Sequence, residues 1–135
     1  MNRLSQKAFT ETEGDIAGFY STLQEIVRIR GQLLHESAAG GSAPGEKKDP
    51  TANRAIALVD NGRLNHLKRV AKAVSEVYDK LPEKRKQLVR YYYWDFPGQK
   101  PNWNDLAAVL NEKRNQVVKW RNEMVYEVAG RLGRS

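Results

Sequence analysis

The chain is 135 residues long, room for one ordinary domain or a small domain with an appendage, and 23 Lys and Arg against 16 Asp and Glu give a formal net charge of +7. With 40% hydrophobic and 29% charged residues it has the composition of a folded soluble chain, and the absence of cysteine excludes a disulfide scaffold, a Cys-ligated zinc site and thiol catalysis. Two histidines, no apolar run near the ~20 residues of a membrane span and a polar Met1–Thr10 stretch argue against metal, membrane and secretory roles, and point to a cytoplasmic protein.

Helical spacing dominates, and no segment sustains the alternation of a strand. Phe9, Ile16, Phe19, Tyr20, Leu23, Ile26, Val27, Leu33 and Leu34 recur mostly at steps of three and four between Gln6 and Glu36. Gly14 weakens the early part, so the spacing predicts one helix from Asp15 to Leu34, a packing or dimerising element. The Gly, Ser and Pro of residues 38–50 predict a flexible linker. Downstream, Ala52 to Val59 reads as a short helix, Asp60-Asn61-Gly62 as a turn, and Arg63 to Lys80 as a long helix with Leu64, Leu67, Val70, Ala71, Val74 and Val77 on one stripe. Pro82 suits the first turn of a new helix, Glu83 to Trp94, which Pro97-Gly98 ends.

Two helices are predicted in residues 102–130. Asn102 caps the first, with Asp105 returning a hydrogen bond as in a capping box, and this helix runs from Trp103 to Leu110. Asn111 suits the left-handed conformation that closes a helix. The second helix runs from near Arg114 to Val128 or Ala129 and is stopped by Gly130. Leu106 and Leu110, with small Ala107 at the crossing, would face Val117, Trp120, Met124 and Val128. Asn115, Val118, Lys119, Asn122 and Tyr126 would lie opposite, with Arg114 at the N-terminal end. Two helices joined by a short turn, with amide and ammonium groups outward, are the helix-turn-helix arrangement whose second helix reads bases in a major groove. Glu112 departs from the usual apolar turn residue, and Lys113 stands where a Ser or Thr cap is usual. Too few residues follow Gly130 for a winged variant. The fold expected is therefore all-α: an N-terminal helical segment (1–37), the linker (38–50), and a helical domain (51–135) whose non-winged helix-turn-helix occupies 102–129.

Charge supports a nucleic-acid partner. Residues 1–35 are net zero and 36–79 net +1, whereas 80–111 and 112–135 are each net +3. The residues expected to meet bases are Arg114, Asn115, Val118, Lys119 and Asn122; those expected to meet phosphate are Lys86, Arg90, Lys100, Asn102, Lys113 and Arg121. For Lys84, Arg85, Lys86 and Arg90, a solvated helix face is an equal alternative. Tyr91-Tyr92-Tyr93-Trp94 are expected to pack a core, joined by Trp103, in preference to stacking on bases. Asp and Glu form no catalytic pair and no Gly-rich phosphate loop is present, so neither an enzyme nor a cofactor is expected.

The run Leu81-Pro82-Glu83-Lys84-Arg85-Lys86-Gln87-Leu88-Val89-Arg90-Tyr91-Tyr92-Tyr93-Trp94, followed by Asn102-Trp103-Asn104-Asp105-Leu106-Ala107 and Val117-Val118-Lys119-Trp120-Arg121, resembles the RinA/ArpU family of phage-encoded transcriptional regulators. The likeness extends loosely upstream and is distinctive over the last ~55 residues, which look like the promoter-reading final region of sigma factors. It implies a late-gene regulator bound to double-stranded DNA near RNA polymerase in a bacterial host cell. A homo-oligomer through the N-terminal helix is expected. Two rival expectations are a phage assembly component, such as a DNA-packaging small subunit with an oligomeric helix-turn-helix, and a protein-binding helical module with little DNA affinity.

Overall fold

A computed structural model describes the backbone of residues 4–39 and 50–135, and the side chains of 4–32 and 61–135. The fold is all-α, and no strand occurs among the described residues. The helices are α1 (Gln6–Ala17), α2 (Phe19–Ala39), α3 (Pro50–Asp79), α4 (Glu83–Val89), α5 (Trp103–Leu110) and α6 (Arg114–Arg131), with a π-helical segment, Arg90–Trp94, continuing α4. No described helix is long and apolar enough to cross a membrane. The chain forms two compact units: one joins the residues up to Phe19 to Lys72–Ser135, and the other is Tyr20–Ala71. These divide the chain at other points than the three-segment scheme of 1–37, 38–50 and 51–135. The predicted linker lies, apart from its ends, outside the described residues.

The N-terminal helix differs from the predicted Asp15–Leu34 rod. α1 begins earlier, because Ser5 caps it: its Oγ accepts from the Ala8 N–H at 3.0 Å. Gly14 is tolerated inside α1. The ~1 kcal/mol that glycine costs a helix is offset by Ala8, Thr12 and Ile16, buried at four-residue steps. The break falls instead at Gly18, where φ −87° and ψ 12° leave the helical path and the N–H bonds to the Gly14 carbonyl. A Cβ there would lie 3.1 Å from that same carbonyl oxygen. The Ile16 carbonyl, one of the acceptors left over at the end of α1, takes the Trp94 Nε1–H at 2.8 Å.

α3 likewise overrides a local signal. Asp60-Asn61-Gly62 carries no turn, and the helix runs through it. Asn61 and Gly62 are exposed, so nothing is lost in packing, and propensity is the weaker term. In the smaller unit, Ile26 and Ile29 of α2 and Leu64, Val70 and Ala71 of α3 are buried. Glu25 links the two helices, pairing with Arg28 on its own helix and with Arg63 at 3.0 Å on α3. The Arg28 hydrogen bond holds the Glu25 carboxyl below its ordinary range.

In the larger unit α6 packs on α1 and α5, and α4 packs on both α5 and α6. The π segment closes with the Asp95 N–H bonded to the Arg90 carbonyl at 2.7 Å, an i to i+5 bond. Its wider turn brings consecutive Tyr92 and Tyr93 both inside, with ring centroids 4.8 Å apart and edge to face. Trp94 packs on Tyr78 at 5.0 Å and Phe19 at 5.6 Å, and Trp103 stacks on Tyr92 at 4.4 Å, as the core expectation for these rings requires. Gly130 does not stop α6. The helix reaches Arg131 and closes at Gly133 (φ +72°), with Arg134 N–H on the Ala129 carbonyl and Gly133 N–H on the Gly130 carbonyl. This paired closure needs a left-handed residue just past the helix, which glycine supplies without steric cost.

Candidate nucleic-acid interface

α5 and α6 are joined by residues 111–113. Asn102 caps α5 by accepting from the Asn104 N–H at 2.7 Å. Asp105 makes no return bond; it contributes only its charge to the positive first turn. Asn111 adopts the left-handed conformation (φ 55°, ψ 48°) expected of it. Its N–H reaches the Ala108 carbonyl at 3.2 Å, and the next N–H, of Glu112, reaches Ala107 at 2.9 Å. Both α5 and α6 therefore end in the same paired closure. The usual partner of that closure is an apolar contact. Here Glu112 instead accepts from Lys84 Nζ of α4 at 2.8 Å, which explains a charged residue at this position. Lys113 begins α6 with an extended backbone and no side-chain cap, so no side-chain acceptor meets the first N–H groups of α6 at this position.

The inner face agrees with the expected spacing: Leu106, Ala107, Leu110, Val117, Met124 and Val128 are buried, and Trp120 is half-buried. Val125 and Ala129 are buried too, beyond the residues expected to face α5. They lie on the side of α6 where α1 packs, a partner more than a hundred residues away in sequence that no local pattern reveals. Trp120 Nε1 is the one buried side-chain nitrogen or oxygen without a hydrogen-bond partner among the described residues, and the Arg85 guanidinium lies 5.1 Å over its ring.

Of the residues expected to meet bases, Arg114, Asn115 and Lys119 are exposed and make no ion pair or side-chain hydrogen bond among the described residues. Val118 and Asn122 are half-buried. Asn122 Oδ1 accepts from Arg121 Nε at 2.7 Å. Tyr126, farther along the same face, is met by Phe9 of α1, ring centroids 6.1 Å apart.

The residues expected to meet phosphate divide. Lys113 is exposed and unpaired among the described residues, and Asn102 is occupied as the cap. Lys86 Nζ lies over the Tyr78 ring at 5.5 Å. Arg90 donates to Glu83 at 2.9 Å and Tyr78 Oη at 2.6 Å, bonds that raise an already high pKa. Lys84 and Arg85 pair with Glu112 and Glu123, so α4 directs both cations toward the turn and α6. Lys100 Nζ is 3.9 Å from Glu13 and 5.2 Å over the Tyr92 ring.

Arg121 is turned inward. Its Nη1 donates to Glu13 and to Tyr92 Oη, each at 3.2 Å, and its guanidinium lies 4.9 Å from the Trp103 ring, 5.4 Å from Phe9 and 5.6 Å from Tyr92. The side chain is 15% exposed and its partner Glu13 17%. Glu13 also accepts from Tyr93 Oη at 2.8 Å. Burial first, then the Glu13 charge and hydrogen bond, push the Tyr93 phenol up. Sequence reasoning gave Glu13 no role. Its only local signal is its place one turn after Phe9 and one before Ile16 and Ala17 in α1.

Among the described residues, no group of three His, Asp or Glu side chains is arranged to hold a metal. No protein-family model matches the chain, no curated protein matches it, and no solved structure matches it.

Proposed function

We propose that the chain is a sequence-specific DNA-binding transcriptional regulator, of the phage late-gene kind that its sequence resembles, and that α6 enters the major groove. The observation that carries this reading is the pairing of a capped α5 and a left-handed Asn111 turn with an α6 whose Arg114, Asn115 and Lys119 stand exposed and unpartnered among the described residues. Arginine, lysine and asparagine are the side chains that pair with purine edges, and the first turns of a docked helix are where they do so. The uncapped start of α6, flanked by Lys113, suits a phosphate oxygen. RNA polymerase as a neighbour rests on the resemblance alone.

Selection of bound fragments from a random duplex library tests the reading. A defined motif, bound more weakly as salt rises, supports it; enrichment no better than for a chain with Arg114, Asn115 and Lys119 all replaced by alanine overturns it.

A second reading, an oligomeric phage assembly component that binds DNA, draws on α2, where Val27 is 70% exposed and Leu23 one turn before it is also exposed. A ring-sized mass in light scattering with little sequence preference favours that reading; a monomer or dimer with a defined site favours the regulator.

A further inference from the structure

Among the amide and ammonium side chains on the outward side of α6, Asn122 is the one with a hydrogen-bond partner among the described residues. A guanidinium carries donors and no acceptor, so the edge of the Asn122 amide that faces Arg121 Nε is its oxygen. Arg121 is not free to swing away, because the Glu13 carboxylate, the Tyr92 hydroxyl and the rings of Phe9, Tyr92 and Trp103 hold it. The amide nitrogen of Asn122 has no partner among the described residues.

We propose that Arg121 is a positioning residue that presents Asn122 to DNA as a donor only, so that Asn122 selects an acceptor edge, guanine N7 and O6, over adenine. This rests on the reading of α6 as the groove-entering helix. An asparagine free to turn takes adenine with both ends of its amide, accepting from N6 and donating to N7. With the oxygen held inward, the accepting half is lost, and the N6 amino group of adenine faces another donor. Guanine offers two adjacent acceptors and no donor on that edge. The usual asparagine-to-adenine pairing is thus reversed by a neighbour that never touches DNA.

The test compares wild type, Asn122→Asp and Asn122→Ala in two measurements. The first is solvent exchange of the Arg121 Nε–H by NMR, without DNA. Exchange is expected to be slow in wild type and in Asn122→Asp, which keeps the acceptor, and about tenfold faster in Asn122→Ala, the factor that loss of one hydrogen bond corresponds to. The second is fragment selection from random duplex. One position of the site is expected to be guanine in wild type, unselected in Asn122→Ala, and a donor-bearing base, cytosine or adenine, in Asn122→Asp. Fast Nε–H exchange in wild type, or adenine selected at the position that Asn122→Ala relaxes, overturns the proposal. Wild-type exchange decides the orientation even where a variant does not fold. A wild-type chain that binds no duplex overturns the DNA reading and the base preference with it, while the exchange result stands separately.

Discussion

Replacing Arg121 by methionine leaves the half-buried Glu13 carboxylate with only the Tyr93 hydroxyl on it and Lys100 at 3.9 Å. Breaking one side of a fully buried ion pair costs about 3–5 kcal/mol; this pair is 15% and 17% exposed and Lys100 stays beside Glu13, so urea unfolding of Arg121→Met is expected to show a loss of at most about 3 kcal/mol, with the double variant Glu13→Gln, Arg121→Met recovering part of it. Tyr93 gives a pH dependence. The folded phenol holds its proton where the unfolded chain releases it, so its contribution is complete below about pH 10 and declines above it as the unfolded state ionises. The urea midpoint is expected to fall as the pH rises above about 10, and to fall less there in Tyr93→Phe. Lys119 behaves oppositely to these buried groups. Exposed and unpaired among the described residues, it is expected to change stability by no more than about 0.5 kcal/mol on replacement by alanine. Affinity for the selected site should fall by about 1–3 kcal/mol, with one position relaxed, if Lys119 meets a guanine.

The turn between α5 and α6 depends on one backbone conformation. Alanine at Asn111 must adopt φ 55°, a left-handed conformation that costs an ordinary residue about 1–2 kcal/mol, whereas glycine adopts it freely. Thermal melts are expected to rank Asn111→Gly at or above wild type and Asn111→Ala below it. This part of the fold was legible because its signals are local: Asn102 and Asn111 bracket α5, and the apolar spacing of Leu106, Leu110, Val117 and Met124 sets its contact with α6. Elsewhere tertiary partners decided the outcome. Gly18 ends α1 where the Trp94 indole takes the Ile16 carbonyl, and Gly130 stays helical because Leu132, two residues on, is buried. The exposure of Arg114, Asn115 and Lys119 follows from the helical spacing, but the withdrawal of Arg121 does not. That depends on a carboxylate 108 positions away.

For the whole molecule, net charge overstates what is available to a polyanion. Of the cations from Lys80 onward, Lys84, Arg85, Arg90, Lys100, Arg121, Arg131 and Arg134 are each paired with a carboxylate of the larger unit. Lys86 lies over the Tyr78 ring and Lys80 is exposed before α4, which leaves Lys113, Arg114 and Lys119 as the exposed cations at the start of α6. Three phosphate contacts correspond to a slope of about −3 in log affinity against log salt for each chain bound, well short of what the basic residues in sequence suggest. A salt titration on the selected duplex measures it, and a slope twice as steep per chain would place further cations on the backbone. The carboxylate that α1 lends to α6 has a consequence for genetics. A lysine allele at Glu13 sets a third cation beside Arg121 and Lys100. Second-site revertants of that allele are expected well downstream, at codons 100 and 121, more often than among its immediate neighbours.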